Sequence, residues 1–139
     1  MKKILFIGIA LIFLGSCSID DDNINSNAYV EYVPIETVDM PSSFELGQSY
    51  MIEYTYYRPS ECHVFRDLFY EQVEEIRTIA VSNFVYPNSS PPCETLTDEL
   101  VTRTFNFFVN STETHNFRFW QGYDESGEDL YLEYEVPVN

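Results

Sequence analysis

The sequence predicts an all-β fold, a single antiparallel β-sandwich of about seven strands. Beyond residue 29, apolar and polar residues alternate with period two over most of the chain, as they do in half-buried strands. The alternating runs are rich in Tyr, Phe, Val, Ile and Thr, which fit a pleated surface. Segments containing Pro, Ser and Gly interrupt them at the spacing of short sandwich strands.

The expected strands are 29–39, 49–57, 62–70, 75–86, 99–109, 114–121 and 129–138. In the second, Tyr50, Ile52, Tyr54 and Tyr56 alternate with Met51, Glu53, Thr55 and Tyr57. In the fifth, Phe105, Phe107 and Val109 alternate with Thr104, Asn106 and Phe108, and in the sixth Phe117 and Phe119 alternate with Asn116, Arg118 and Trp120. Turns fall at Pro41-Ser42-Ser43, Leu46-Gly47-Gln48, Arg58-Pro59-Ser60, the Pro87–Pro92 loop and Asp124-Glu125-Ser126-Gly127. Tyr29, Tyr32, Tyr50, Tyr54, Tyr56 and Tyr57 are expected to be mostly core or cross-strand residues. Residues 60–79 admit two descriptions. Val64, Phe65, Leu68, Phe69, Val73 and Ile76 fall at helical spacing, with Ser60 as a cap and Glu61 in the first turn. Tyr70, Thr78 and Ile79-Ala80-Val81 favour two strands joined near Gln72–Glu75, and the strand pair is preferred.

Ahead of this domain, Lys2 and Lys3 precede an apolar run from Ile4 to Leu14, followed by Gly15-Ser16-Cys17. The run is short for a membrane span and has the composition of a secretory signal. Leu14-Gly15-Ser16-Cys17 resembles the bacterial lipobox, which implies cleavage after residue 16 and lipidation of Cys17. Residues 17–28 then form a polar tether without periodicity. Its Asp20-Asp21-Asp22 cluster resembles the export signal of Bacteroidetes lipoproteins, above all flavobacterial ones. That likeness implies an address on the exterior face of the outer membrane; a plain solvated tether on the periplasmic face is the alternative.

Removing residues 1–16 takes away both lysines and leaves five arginines against 23 acidic residues, a side-chain charge of −18. Such a chain repels phosphate, so no nucleic-acid partner is expected, and membrane attachment falls to the acyl chains. From about 110 residues beyond the tether, one domain is expected at 29–139. The layout from Tyr29 onward resembles small β-sandwich domains of flavobacterial lipoproteins. The segments 47–56, from Gly47 to Tyr56, and 117–129, from Phe117 to Asp129, followed by Tyr134-Glu135-Val136-Pro137-Val138, carry the likeness. It implies an immunoglobulin-like sandwich and no particular activity.

With Cys17 assigned to the lipid, Cys62 and Cys93 remain, and in an exported protein such a pair is expected to form a disulfide. His63 and His115 stand alone, without an HxH or HExxH pattern, and are expected at the surface. A Ser-His-Asp site has no Gly-x-Ser-x-Gly elbow to support it. Paired carboxylates for glycoside hydrolysis need a cleft that an aromatic-filled domain of this size scarcely leaves. Asp124, Ser126, Glu128 and Asp129 crowd one loop and form a weak calcium candidate, although the same residues make an ordinary hairpin turn. No glycine-rich nucleotide loop is present and no cofactor is expected.

Trp120 falls opposite Phe117 and Phe119, on the outer face with Arg118 and Tyr123 as possible ligand-binding neighbours. Packing across strands against Phe108 or Tyr131 is the ordinary alternative, and the preferred one. The functional expectation is a lipid-anchored, surface-exposed outer-membrane lipoprotein that acts as a non-enzymatic binding or interaction module, with a protein or a glycan as partner. A glycan-binding accessory lipoprotein of a polysaccharide-uptake system is the alternative.

Overall fold

The computed structural model describes residues 27–139; the signal segment, Cys17 and nearly all of the tether lie outside the described residues. Eight strands and no helix make up the described chain: β1 Tyr29–Val33, β2 Thr37–Asp39, β3 Ser49–Tyr57, β4 His63–Val73, β5 Ile76–Val85, β6 Leu100–Phe108, β7 His115–Tyr123 and β8 Asp129–Val136. They form two packed sheets, the β-sandwich that the period-two pattern predicts. In the larger sheet, β4 pairs with the whole of β5 on one edge. On the other edge of β5, β1 pairs with Val81–Val85 and β7 pairs with Ile76–Ile79. β8 completes this sheet beside β7, and the smaller sheet runs β2-β3-β6.

Two details depart from the sequence expectation. Residues 29–39 are two strands in different sheets, because the chain crosses between layers at Pro34-Ile35-Glu36. The Ile35 amide donates to the Trp120 carbonyl of the larger sheet at 2.9 Å, and the Glu36 amide donates to the Thr55 carbonyl of the smaller one at 2.8 Å. Pro34 sits at the crossing, where its missing N–H leaves no donor stranded. Pairing is also not purely antiparallel, since β5 and β7 are parallel. Between them the chain visits the smaller sheet as β6, and this crossover returns it in the same direction.

Residues 60–79 are strands. Val73 pairs with Ile76 across a two-residue turn at Glu74-Glu75, and Glu74 has φ 55°. That conformation favours Gly or Asn, so the usual turn signal is missing and helical spacing looked plausible. Cys62 and Cys93 form a disulfide with a Cα–Cα distance of 5.5 Å. It ties the start of β4 to the loop before β6 and removes unfolded-state freedom worth about 3.5 kcal/mol.

Between the sheets lies a core that mixes Phe44, Tyr54, Tyr56, Phe107, Phe117 and Phe119 with Val33, Ile35, Ile52, Ile79, Val81, Val109 and Val136. Phe117 and Phe119 stack at 6.2 Å, and Phe107 meets Phe117 edge to face at 5.0 Å. Burial pushes the Tyr54 phenol up to about 12 despite the nearby Arg103. Arg77 is buried with them, its guanidinium 5.5 Å from the ring centres of both Phe107 and Phe117. Because Phe119 is fully buried against both sheets, Phe119→Ala is expected to cost about 3–5 kcal/mol, read from the shift of the urea midpoint.

Candidate functional site

Aromatic side chains surround a recess on the outer face of the larger sheet. Its floor is small because β5 turns Thr78 and Ala80 outward, and its walls are Tyr32 of β1, Phe69 of β4, Trp120 and Tyr123 of β7, and Tyr131 of β8. Asp129 closes one side, and the volume of the open recess is about 210 Å³. That is smaller than a drug-sized cavity and suits one ring or one side chain. The rings stand mutually upright, with Tyr32–Phe69 at 5.6 Å and 71° and Trp120–Tyr123 at 5.3 Å and 80°.

A β-bulge makes this grouping. In an unbroken strand Trp120 and Tyr123 would face opposite sides. The ladder of β7 with β8 shifts register between Trp120 and Gly122, so the extra residue Gln121 turns Tyr123 onto the face of Trp120. Gly122 follows with φ 99°, and a Cβ there would lie 3.4 Å from the Pro34 ring. Glycine thus permits both the backbone turn and the close passage of the sheet crossing.

Polar groups at the recess are held in place. The Trp120 indole N–H donates to the Asp129 carboxylate at 2.7 Å. Arg118 donates from Nε to the Thr78 hydroxyl at 2.6 Å and lies over the Tyr131 ring at 4.8 Å. Burial, then the Asp129 carboxylate, holds the Tyr131 phenol above its ordinary value. The recess therefore offers aromatic surfaces, a carboxylate acceptor and phenol donors, with the Arg118 guanidinium beside its floor.

Trp120, Arg118 and Tyr123 thus share one face. Trp120 also stands opposite Tyr131 in register, so the cross-strand contact and the surface position coexist. Sequence reasoning did not assemble Tyr32 and Phe69 with them. Of the six tyrosines expected to be mostly core or cross-strand residues, Tyr54 and Tyr56 are core, whereas Tyr32 is 46% exposed and Tyr29 and Tyr57 are exposed too, all three in paired strands. Buried Val33 marks the inward parity of β1 and hence an outward Tyr32, but only if the strand is known to leave the sheet at Pro34.

The loop with the weak calcium candidate is organised around one carboxylate. Asp124 Oδ1 accepts from the Ser126 amide at 2.7 Å, the Ser126 hydroxyl at 2.7 Å and the Glu128 amide at 3.0 Å. The Ser126 hydroxyl, then the Glu128 amide, holds Asp124 below its ordinary carboxylate value. Asp129 faces the indole instead. Among the described residues no three acidic, histidine or cysteine side chains converge as a metal site.

Both histidines are buried, contrary to the surface expectation. His63 is 8% exposed and links the Ser60 hydroxyl to Nδ1 at 2.7 Å and Glu31 to Nε2 at 3.2 Å. This Ser-His-Glu chain looks catalytic at first sight. However, the Ser60 hydroxyl also accepts the Cys62 amide at 3.2 Å, so it closes the turn before β4 and joins that turn to β1. His115 is 1% exposed because it shares the core parity of Phe117 and Phe119, and it packs edge to face on Phe107 at 5.2 Å.

Burial, then the Arg77 guanidinium, holds His115 below its ordinary value. The folded chain keeps the ring neutral while the unfolded chain takes up a proton as pH falls through about 6.5. Its contribution to stability is complete above that pH and declines below it. His115→Phe keeps the ring packing and should flatten the loss of stability between about pH 7.5 and 5.5, followed by urea titration at each pH. An unchanged slope would assign that loss to other groups.

No protein-family model, curated protein or solved structure matches this chain.

Proposed function

We propose that this chain is a lipid-anchored, non-enzymatic binding module, held through Cys17 on the exterior face of the outer membrane, whose ligand enters the aromatic recess. The observation that supports the reading best is the recess itself. Five aromatic rings stand around two small residues on a sheet face that an isolated sandwich has no need to hollow. The lipobox likeness, the acidic cluster after Cys17 and the strong negative charge support the address. Two packed sheets of short strands support the immunoglobulin-like type implied by the resemblance.

A glycan is the more specific occupant, supported by what flanks the rings. A sugar ring presents apolar faces that stack on aromatic side chains. Its hydroxyls need acceptors and donors at the rim, which Asp129, Tyr131 and Arg118 supply. The alternative is a protein partner that inserts one aromatic or aliphatic side chain as an anchor.

The address is tested in whole cells. Cys17→Ala should move the protein out of the membrane fraction, and protease added to intact cells should degrade the wild-type protein; full protection would place it on the periplasmic face. The recess is tested with the full-length lipoprotein in detergent on a glycan array. Trp120→Ala should weaken any bound glycan by about 2 kcal/mol, roughly thirty-fold. Equal binding by wild type and Trp120→Ala moves the site elsewhere, and no glycan bound by wild type leaves the protein-anchor alternative.

A further inference from the structure

We propose that β6 is an intermolecular strand: two copies of this chain pair β6 with β6, antiparallel about a twofold axis at Thr104, and join two three-stranded sheets into one of six. β6 is nine residues long and pairs with β3 on one edge without a bulge. Among the described residues no strand pairs with its other edge. A strand edge left open presents unpaired N–H and C=O groups, which proteins guard by shortness, proline, charge or bulges. The other strands that stand at the rim of a sheet carry such guards: β1 is five residues long and carries Glu31. β2 is three residues long and lies between Pro34 and Pro41. β4 is bulged between Phe65 and Asp67 and carries Arg66, Asp67 and Glu71. β8 carries Asp129, Glu133 and Glu135 and is followed by Pro137.

β6 has none of these except one charge, Arg103. Residues 100–112 contain no acidic side chain, although the chain has 23. The only other described strands free of acid are β5, paired on both edges, and β7, paired along β8 and, over Asn116–Phe119, with β5. β6 thus has the composition of an interior strand in an edge position.

A second copy fits this edge in one register particularly well. The Val109 amide donates to the Gln48 carbonyl at 2.9 Å and the Arg58 amide to the Glu99 carbonyl at 2.9 Å. Odd-numbered residues of β6 therefore turn their backbone groups to β3, and Thr102, Thr104, Asn106 and Phe108 turn theirs to the open side. Centring the axis on Thr104 sets these outward residues opposite one another. It places Leu100 against Phe108 of the second copy, Val101 against Phe107, Thr102 against Asn106 and Arg103 against Phe105. Apolar then meets apolar and polar meets polar, while the Arg103 guanidinium stays over the Phe65 ring of its own chain, 3.8 Å from its centre, and faces no like charge. Leu100 and Phe108, 49% and 55% exposed in the single chain, cover each other. Shifting the axis to Arg103 would oppose two like charges. The negative charge elsewhere is screened over about 8 Å at physiological salt and is absent from the paired strand.

Cysteine crosslinking in native membranes tests this with the full-length lipoprotein, since Cys62 and Cys93 are already bonded. In the proposed register the two Thr104 Cα atoms lie about 5.5 Å apart, within reach of a disulfide. Mild oxidation of Thr104→Cys should yield mainly a dimer on a non-reducing gel. Thr102→Cys alone should crosslink at least tenfold less, because its copies lie about 14 Å apart along the strands. Co-expressing Thr102→Cys with Asn106→Cys should restore the dimer. Equal crosslinking at all positions, or a Thr104→Cys thiol that reacts freely with maleimide, overturns the proposal. A thiol that is protected yet uncrosslinked also overturns it and assigns the edge to another protein's strand. As a second measurement, Thr104→Asp should convert the detergent-solubilised dimer to a folded monomer by sedimentation; a dimer that persists overturns the pairing.

Discussion

The larger sheet depends on the double burial of β5. One of its faces puts Ile79 and Val81 into the aromatic core, and the other holds Thr78, Ala80 and Ser82 beneath surface aromatics. Both of its edges are paired, one by β4 and the other divided between β1 and β7. A strand covered on all sides reads as a nearly continuous apolar run, as Ile79-Ala80-Val81 does. Sharing one edge between two strands also forces the chain to leave the sheet at Pro34, where β1 would otherwise meet β7. The sheet crossing follows from that crowding, and Gly122, just past the bulge at Gln121, lets it pass close to β7.

The same strand shapes the recess. Small outward residues on β5 leave room that larger ones would fill, while neighbouring strands contribute Tyr32, Phe69, Trp120 and Tyr131. Rings held edge to face by one another keep their positions without a ligand, so the recess is preformed. The indole–Asp129 hydrogen bond and the Arg118–Thr78 bond fix its polar rim in the same way.

Charge has a complementary pattern. Acidic residues occupy the tether, the turns and most strand edges, and keep a protein without lysine beyond residue 16 apart from its neighbours. Against that background the acid-free strands stand out, two inside the larger sheet and the third at the rim of the smaller one. Solubility and specific contact are thus separated along the chain rather than traded against each other.

Much of the architecture was legible because period-two alternation is local: six of the seven expected strands occur near their expected bounds, and the cysteine pair needed only counting. The Glu74-Glu75 turn was obscure because its backbone conformation is held by the hairpin rather than announced by Gly or Asn. The histidines were misplaced because their burial comes from strand parity at β7 and from a turn contact at β4, not from their own polarity. The sequence by itself determined which residues alternate, where turns fall and how much charge the chain carries, since these depend on neighbours along the chain. Only the tertiary structure decided that 29–39 divides between sheets, that a single inserted residue aligns Tyr123 with Trp120, and that Tyr32 and Phe69 join them. Those outcomes rest on which strands share an edge of β5, and edge sharing is a competition among segments far apart in sequence.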